Sequence, residues 1–278
     1  MIYENNRQTS DLQNNRIIGN IENLDPKTDI RFSGKGNILF LEDHANLKNC
    51  KLNFKGDNAV IYISSNKNFD TYLMVDAWSG TSVFIGSDNY FNGSLNCIAA
   101  ERKNLIIGKK GTFSYGIWIR TSDIHLLYDI ETGNRINLSK SVMVGDHVWL
   151  GQAAMILKGT RIGSGSVIAA GAVLANKSVG SNSVYGGNPA RRIRRNVFYN
   201  SASTNNYSPK DTEDSMTNNR RDYVYDQPGT IDFDSIDDRL SRAETADMKL
   251  TILKGLAENT NHNRFSIVKM KKKLFGIF

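Results

Sequence analysis

Residues Val144 to Val179 form six successive units of six residues, which read VGDHVW, LGQAAM, ILKGTR, IGSGSV, IAAGAV and LANKSV. A period of six fits neither the 3.6-residue turn of an α-helix nor the two-residue alternation of a simple strand. The first position of each unit is aliphatic, and the residues there are Val144, Leu150, Ile156, Ile162, Ile168 and Leu174. The repeat therefore predicts a β-helix built from hexapeptides.

The physical basis of this prediction is the stacking of short strands. In each unit a strand turns its aliphatic residue inward, and three units close one triangular coil of about eighteen residues. No single coil can bury its own apolar face, so successive coils stack their inward side chains into one column. The fifth position is mostly small, as at Ala154 and Ala172, which suits a crowded corner. A glycine-rich β-meander is the alternative, and the strict spacing of the aliphatic positions disfavours it.

Short runs typical of β-strands also precede the regular units. Between about 30 and 119 they include NILFL, AVIYI and NLIIG, with Asn, Asp, Ser and Gly between them. We interpret these runs as earlier, irregular coils of the same helix, so that one all-β domain extends over 30–195. A polar segment, 1–29, precedes this domain and is predicted to begin frayed.

The chain changes character after residue 195. Residues 196–235 are rich in Asn, Ser, Thr and Asp, which predicts a linker. The rest, 236–278, is predicted to contain a helix over about 236–258, with a break in its pattern near 245–247, and a tail that mixes lysines with bulky apolar residues. We expect this tail either to contact an anionic inner-membrane surface, at about 1 kcal/mol per basic residue, or to dock on the protein itself.

Composition limits the class of protein. Hydrophobic residues make up 40% of the chain, and no apolar run approaches the roughly eighteen residues of a membrane span. The N-terminus lacks the apolar segment of a secretory signal. Two cysteines, Cys50 and Cys97, are too few for a disulfide framework or a cysteine-rich zinc site. We therefore expect a cytoplasmic protein.

The positive charge is unevenly distributed. Residues 201–278 carry 12 basic and 12 acidic side chains, so the whole net charge of +7 belongs to the first 200 residues. A basic β-helix suits anionic partners, such as a phosphorylated cofactor or an acidic polysaccharide. We expect no nucleic-acid partner.

The segment 120–139 interrupts the repeats and contains a candidate general base. An insertion in a solenoid projects from one face, which is often the binding face. This insertion carries His125, with Asp123 and Asp129 beside it. A neutral imidazole can take a proton from a hydroxyl or amine that attacks an acyl carbon, and a nearby carboxylate can raise its basicity. His125 is thus the candidate catalyst, and the two aspartates are candidates to orient it or to contact substrate.

A second histidine, His147, competes for this role. It occupies the fourth position of its unit, beside Asp146, where a side chain is expected to point outward. We predict a structural or substrate-contacting role for it. The other histidines, His44 and His262, have no motif around them. A zinc site of three histidines would need them on adjacent coils, and since only His125 and His147 lie near the regular coils, no metal is expected.

A longer pattern joins these residues to a known family. The pattern consists of SDIH at 122–125, TGNRIN at 132–137, VGDHVWLG at 144–151 and YGGNPAR at 185–191. It resembles the hexapeptide-repeat O-acetyltransferases of bacterial surface polysaccharides, and within these the sialic-acid capsule O-acetyltransferases. The match covers about residues 80–195.

The resemblance implies a left-handed parallel β-helix that assembles as a homotrimer, with active sites in clefts between neighbouring subunits. It also implies acetyl-CoA as the acetyl donor, bound along the coils. By the same resemblance His125 is the catalytic histidine, and Trp149 is a paired tryptophan beside the reacting centre. The expected reaction is direct O-acetylation of a capsular polysaccharide, in which His125 is the general base and CoA leaves as the thiol.

Contacts to this cofactor are predicted from the size and charge of residues near the repeats. Lys177 and Arg194 are candidates to bind the phosphates of CoA as charged donors. Small residues allow a ligand to approach the backbone closely. The predicted track of the pantetheine arm therefore passes Gly151, Ala153, Ala169 and Ala170.

Two other classes of function stay open on the sequence. An N- or O-acetyltransferase that acts on a small amino sugar or nucleotide sugar would use the same fold and cofactor, and an acceptor assay would separate it from an enzyme that modifies a polymer. A γ-type carbonic anhydrase would contain zinc, and a scaffold would bind no acetyl-CoA.

Overall fold

The computed structural model describes residues 2–4, 7–8, 14–21 and 24–268, of which 2–4 and 7–8 are described as backbone only. The described strands surround one elongated core. In chain order they are β1 (Ile2–Glu4), β2 (Arg7–Gln8), β3 (Arg16–Ile18), β4 (Asp29–Phe32), β5 (Ile38–Leu41), β6 (Lys51–Phe54), β7 (Val60–Ile63), β8 (Leu73–Ala77), β9 (Ser82–Ile85), β10 (Tyr90–Phe91), β11 (Leu95–Ala99), β12 (Asn104–Ile107), β13 (Thr112–Phe113), β14 (Trp118–Arg120), β15 (Val142–Val144), β16 (Trp149–Leu150), β17 (Met155–Ile156), β18 (Arg161–Ile162), β19 (Val167–Ile168), β20 (Val173–Leu174), β21 (Ser178–Val179), β22 (Ser183–Gly186) and β23 (Arg191–Arg195).

These strands form the three sides of a triangular prism. Sheet 1 contains β4, β6, β8, β11, β14, β17 and β20 in parallel, with β1 and β2 antiparallel at its beginning. Sheet 2 contains β3, β5, β7, β9, β12, β15, β18 and β21 in parallel. Sheet 3 contains β10, β13, β16, β19 and β22 in parallel, and β23 lies antiparallel to β22. The chain visits the sheets in turn and forms a left-handed parallel β-helix of about seven turns, which confirms the predicted fold.

The length of a coil changes along this helix. After the projecting loop, Trp149 pairs with Val167 and Met155 pairs with Val173, so that one coil equals three hexapeptides. Before the loop the coils are longer, as the successive partners in sheet 2 show; these are Arg16, Ile38, Val60, Ser82 and Asn104. The length of these earlier coils is not a multiple of six, so the six-residue period is visible only in the later coils.

The inward positions form the apolar column that the repeat predicts. All six aliphatic first positions, Val144 through Leu174, are fully buried. The spacing departs from the pattern at the end of the repeats, where Ile162 pairs with Val179 and not with Gly180. As a result Val179 is buried, whereas Ser178, at the predicted corner, is exposed.

In the described part of the chain, three helices follow the β-helix: α1 (Pro209–Asp214), α2 (Phe233–Arg242) and α3 (Ala246–Glu258). The helix predicted at about 236–258 is two helices, which are separated near the predicted break in the pattern at 245–247. The break arises because Thr245 caps α3, and its side chain accepts a hydrogen bond from the backbone N–H of Met248 at 3.3 Å.

The outer face of sheet 2 is covered by α2 and α3. Its outward side chains are apolar, which is why β7 is buried on both faces. The cluster between sheet and helices contains Ile38, Val60, Tyr62, Phe84, Ile106 and Met143 from the sheet, and Phe233, Ile236, Leu240, Ala246, Leu250, Leu253, Leu256 and Phe265 from the C-terminal part. Sheet 2 is thus closed by the chain's own C-terminal segment, whereas sheets 1 and 3 keep polar and half-exposed outer positions.

The structure corrects the prediction that residues 196–235 form a linker. Apart from α1 and the first residues of α2 they contain no regular helix or strand among the described residues, but they are not detached from the β-helix. Tyr199 and Tyr225 are buried against it. The segment was predicted as a linker because it is polar on average, but its few aromatic residues pack against the β-helix.

A buried ion pair attaches the end of the described chain to the β-helix. Arg264 donates from Nε and Nη2 to the two carboxylate oxygens of Asp146, each at 2.8 Å, and each side chain is only 2% exposed. Its Nη1 donates to the backbone carbonyls of Leu256 and Asn259. Asp146 also accepts the backbone N–H of Lys109 at 2.8 Å. All these groups are therefore satisfied, as buried charges require.

The predicted membrane contact concerns the lysine-rich tail. Residues 269–278 lie outside the described residues, so this prediction has no structural counterpart. Among the residues that are described, no helix is long and apolar enough to cross a membrane.

Candidate active site

The projecting loop connects β14 to β15, at the edge of the prism where sheet 1 turns into sheet 2; we call this the 1–2 edge. The loop folds back on itself as a hairpin. Tyr128 and Arg135 form an antiparallel bridge, and the backbone N–H of Ile136 donates to the carbonyl of Leu127 at 3.0 Å. The loop therefore has a defined conformation within a single chain.

A buried asparagine organises the base of this hairpin. Asn137 accepts the backbone N–H of Leu127 at 3.0 Å. Its amide group donates to the carbonyl of His125 at 2.7 Å and to Asp123 at 3.2 Å. The backbone of His125 is thereby held from the opposite strand of the hairpin. Asn137 is part of the TGNRIN motif, but this role could not be predicted from the motif, because the contact depends on how the loop folds.

The imidazole of His125 is presented to solvent. Its ring forms no hydrogen bond with any residue that the structure describes. The preceding residue, Ile124, has φ = +74°, a left-handed conformation that is strained for a β-branched residue. Such strain costs roughly 1–3 kcal/mol and is concentrated at functional sites. The loop thus holds His125 outward at an energetic cost.

The aspartates predicted to orient His125 have other partners. Asp123 forms an ion pair with Lys158 and accepts the amide of Asn137. One carboxylate oxygen of Asp129 accepts the backbone N–H groups of Glu131 and Thr132 and the hydroxyl of Thr132. These bonds, chiefly from Thr132, lower the pKa of Asp129. In the single chain both carboxylates shape the loop and do not touch the imidazole.

A second ion pair ties the loop to the preceding coil. Arg135 donates to both carboxylate oxygens of Glu101, at 2.5 and 2.9 Å, and the hydroxyl of Ser139 donates to the same carboxylate at 2.5 Å. These bonds, first those from Arg135, lower the pKa of Glu101 to about 2. Glu101 belongs to the coil before the loop and is distant from Arg135 in the chain, so no local pattern in the sequence indicated the contact.

Trp149 lies on a different side of the prism. It is on the outer face of sheet 3, between Thr112 and Val167 on the neighbouring strands, and 40% of it is exposed. Its ring lies 5.7 Å from that of Tyr199, which comes from the segment that follows the β-helix. The indole is therefore supported on one side and open on the other.

The small residues predicted along the cofactor track meet beside Trp149. They lie where sheet 3 turns back into sheet 1, which we call the 3–1 edge. A Cβ atom on Gly151 would lie 2.6 Å from the backbone N of Ala170, so only glycine fits there. Ala153 has φ = +55°, and like Ala170 it is exposed, whereas Ala169 is half-buried. The topology thus brings the four residues to one edge in two successive coils.

The two predicted phosphate-binding cations are separated by the fold. Arg194 is exposed on β23, next to β22 of sheet 3. Lys177 lies between β20 and β21, on the 1–2 edge, which also carries the projecting loop. In a single chain, therefore, Arg194 lies on the same side of the prism as Trp149, and Lys177 lies on the same edge as His125.

The predicted site residues therefore form two half-sites. The 1–2 edge carries His125, Asp123, Asp129 and Lys177, whereas sheet 3 and the 3–1 edge carry Trp149, Gly151, Ala153, Ala169, Ala170 and Arg194. In a triangular prism the edge between sheets 1 and 2 lies opposite sheet 3. His125 and Trp149 consequently lie on opposite sides of one chain and cannot act on the same substrate from within it.

Comparisons with known proteins agree with this fold. Residues 141–176 match the bacterial transferase hexapeptide family, with six repeats. Over 147 residues the chain is 31% identical to a polysialic acid O-acetyltransferase of Neisseria meningitidis, in an alignment that covers 52% of this chain and 67% of that protein. The chain belongs to the hexapeptide-repeat O-acetyltransferases.

Two further relatives of this O-acetyltransferase extend the comparison. A polysialic acid O-acetyltransferase of Escherichia coli O1:K1 is 32% identical over 138 residues, which are 50% of this chain and 44% of that protein. The crystal structure of the polysialic acid O-acetyltransferase OatWY superimposes with a TM-score of 0.54 and 25% identity, over 72% of this chain and 95% of that chain. More than a quarter of the present chain thus lies outside its alignment with OatWY.

His147, proposed from the sequence as outward-pointing, is covered in the O-acetyltransferase by the segment after the β-helix. It is 3% exposed and stacks between the rings of Tyr199 and Tyr223, at 4.1 and 4.2 Å. Its ring nitrogens lie 3.1 Å from the carbonyl oxygen of Lys110 and 3.0 Å from that of Tyr199. Of the two roles predicted for His147, structural or substrate-contacting, its burial in the described structure favours the structural one.

The environment of His147 makes the stability of the O-acetyltransferase depend on pH. Burial lowers the pKa of His147 from its ordinary value, in spite of the two carbonyls, and Lys110, Asp146 and the two stacked tyrosines face it. The unfolded chain binds this proton near pH 6.5. The folded state is therefore favoured above that pH, and the advantage is lost as the pH falls from about 6.5 through the lowered pKa.

We expect His147→Gln to weaken this dependence. Between pH 7 and pH 5 the free energy of unfolding of the wild type should fall more steeply than that of the variant, measured by urea denaturation at each pH. Other titrating groups are common to both proteins and cancel in the comparison. Equal slopes for the two proteins would show that His147 does not titrate in this range.

Proposed function

We propose that this O-acetyltransferase transfers an acetyl group from acetyl-CoA to a hydroxyl of an acidic capsular polysaccharide, such as one built with sialic acid. The main support for this proposal is the 31% identity to a polysialic acid O-acetyltransferase over two thirds of that protein. The net charge of +7 on the first 200 residues supports an anionic acceptor. We place the reaction in the cytoplasm, where acetyl-CoA is available.

The proposed mechanism is direct acyl transfer with His125 as general base. The neutral imidazole takes the proton of the acceptor hydroxyl while the hydroxyl oxygen attacks the thioester carbonyl. The tetrahedral intermediate collapses, the carbon–sulfur bond breaks, and the CoA thiolate takes the proton from the imidazolium. General-base assistance of this kind accelerates a reaction by roughly 10²–10⁴-fold. An imidazole that is exposed and free of hydrogen bonds to described residues can approach the substrate hydroxyl.

Acetyl-CoA is proposed to lie along the 3–1 edge, beside Trp149. Ala153 and Ala170 expose the backbone there, since their side chains are small. Arg194, on β23, would bind a phosphate from the same chain. Lys177 could reach that cofactor only from a neighbouring chain, because it lies on the opposite edge.

The two half-sites support a homotrimer. A contact between the 1–2 edge of one chain and sheet 3 of the next joins two different surfaces. Every chain in such an assembly has both surfaces occupied only when the chains form a closed ring. The loop also exposes an unusual group of large hydrophobic side chains, which fits burial in a neighbour. They are Leu127, Tyr128, Ile130, Ile136 and Leu138, and Ile130 is fully exposed. Sedimentation of the purified protein should show three 31.1-kDa chains in one particle.

Complementation between two inactive variants tests whether the site is shared. His125→Ala and Trp149→Ala chains are co-expressed in equal amounts, so that mixed trimers assemble. If His125 and Trp149 come from different chains, about one quarter of the sites in a random mixture contain both residues. Activity should then return to about one quarter of the wild-type value. If each site belonged to one chain, every site would carry a defect, and activity would stay at the level of the single variants.

The proposed function itself is tested by release of the CoA thiol from acetyl-CoA. The wild-type enzyme is assayed with polysialic acid, with a neutral capsular polysaccharide and with small amino sugars and nucleotide sugars. Release that depends on polysialic acid and adds an ester to the polymer supports the proposal. Turnover confined to small sugars would favour the alternative, an N- or O-acetyltransferase of those acceptors. Equal turnover on the neutral polymer would remove the requirement for an acidic one.

A further inference from the structure

A groove runs along the 1–2 edge on the N-terminal side of the projecting loop. Its volume is about 770 Å³. Lys55, Trp78 and Arg102 line it from successive coils, and Ile124 and Leu126 of the loop close its end. His125 lies between these two residues in the chain, so the groove ends at the loop segment that carries the proposed general base.

Most charges in the groove are already neutralised. Lys55 pairs with Asp76 at 2.8 Å, and Arg135 pairs with Glu101. Arg102 differs, since its guanidinium has no hydrogen bond or ion pair with any residue in the described part of the chain. Its stem crosses over Gly80, where a Cβ atom would lie 3.2 Å from it. The planar guanidinium group of Arg102 is thus exposed in the groove, where it can donate two parallel hydrogen bonds to a carboxylate.

A second cation increases the positive potential around Arg102. Lys249 of α3 is buried and donates to the carbonyl of Leu240 at 2.9 Å. Burial and, secondly, the charge of Arg102 lower the pKa of Lys249. An anion bound at Arg102 would offset this repulsion. The backbone is also unusual here, because Glu101 and Arg102 are successive non-glycine residues with φ of +54° and +57°.

The groove also provides an apolar platform. Trp78 is 44% exposed, although an exposed indole of this size is usually covered in a monomer. The ammonium group of Lys55 lies 5.7 Å from its ring centre. An aromatic face beside a free guanidinium matches a sugar that has both an apolar ring face and a carboxylate.

We propose that this groove binds the acceptor chain as a run of carboxylated sugars, with Trp78 under one ring and Arg102 on a carboxylate, while the hydroxyl to be acetylated lies at His125. This inference rests on the proposed function. From β6, the strand before Lys55, to β14, the strand before the loop, there are three strand spacings, or about 14 Å. The groove therefore holds several sugars, and it favours a polymer over a single sugar.

Acceptors of two lengths test the groove. Initial rates are measured for full-length wild type, Trp78→Ala and Arg102→Gln at saturating acetyl-CoA, with polysialic acid and with free sialic acid. Each substitution is expected to raise KM for the polymer about tenfold, which corresponds to about 1.4 kcal/mol. KM for free sialic acid should change less than about twofold in Trp78→Ala, because Trp78 follows β8, two strand spacings or about 10 Å before β14, and a single sugar bound at the loop does not extend that far. Arg102→Lys should give an intermediate KM for the polymer, since it keeps the charge and loses the planar guanidinium group.

The matched control is Lys67→Gln, which removes one exposed positive charge on an edge away from the groove. Its KM for the polymer should equal that of the wild type. An unchanged polymer KM in Trp78→Ala and Arg102→Gln, or an equal rise in Trp78→Ala for the polymer and for free sialic acid, would overturn the proposal. Failure of the wild type to acetylate any acidic acceptor would instead overturn the proposed function, and the two results are distinguished by the wild-type rate.

Discussion

Replacement of His125 by asparagine should lower the rate of acetyl transfer by about 10²–10⁴-fold, the contribution expected of a general base. Asparagine keeps a polar side chain of similar reach near the backbone but cannot accept the proton. The backbone carbonyl of His125 should still accept the amide of Asn137, so the loop should keep its shape. The measurement is the turnover of acetyl-CoA with polysialic acid at saturating concentrations of both.

The loss should be confined to catalysis. Because the imidazole has no hydrogen bond with any described residue, the midpoint of thermal unfolding should stay within about 2 °C of the wild-type value. His44→Asn is the matched control: His44 is also exposed, but it lies in a turn far from the loop in sequence and has φ = +61°, which asparagine tolerates. If His125→Asn retained wild-type turnover, another group would have to be the base.

Replacement of Arg264 by methionine should destabilise the protein by about 3–5 kcal/mol, since it leaves the carboxylate of Asp146 buried without its partner. Methionine retains much of the apolar stem of arginine, so lost packing contributes little. The carbonyls of Leu256 and Asn259 would lose their donor as well. The free energy of unfolding by urea measures the effect, and hydrogen exchange should show that α2 and α3 lose protection first.

Two comparisons identify the ion pair as the cause. Arg161→Met breaks an exposed pair with Asp234 on the same covered side of the protein and should cost less than about 1 kcal/mol. Adding Asp146→Asn to Arg264→Met should recover part of the loss, because the buried charge is gone while an amide oxygen can still accept the N–H of Lys109. If Arg264→Met were no worse than Arg161→Met, the buried pair would not hold the C-terminal segment in place.

The six-residue period predicted the fold because it is a local consequence of the coil. Each aliphatic first position, from Val144 to Leu174, must face inward when a coil consists of three hexapeptides, and all six do. The exposed loop around His125 was also visible, because a solenoid tolerates polar residues only where the chain leaves the coil. The longer coils that precede the loop obey the same physics, but successive partners in sheet 2 are 22 residues apart, as 38 − 16 and 60 − 38 show, which is not a multiple of six and leaves no six-residue period.

Contacts between segments that are distant in the chain could not be predicted from a local sequence pattern. Arg264 and Asp146 are 118 residues apart, and His147 and Tyr199 are 52 apart, so neither partner marks the other in the sequence. His147 looked outward because a hexapeptide position reports only the coil, whereas its burial depends on a segment that returns over the surface. The same holds for α2 and α3, whose apolar faces could be predicted but not the sheet that they cover.

The sequence by itself determined the β-helix, the inward column and the projection of the loop that carries His125, since these follow from short-range periodicity. Only the tertiary structure decided that His125 and Trp149 lie on opposite sides of one chain. It also decided that Asp123 and Asp129 shape the loop and that the C-terminal segment closes sheet 2. The reason is that the angular position of a residue around the prism depends on the summed length of all preceding turns, and no local pattern records that sum.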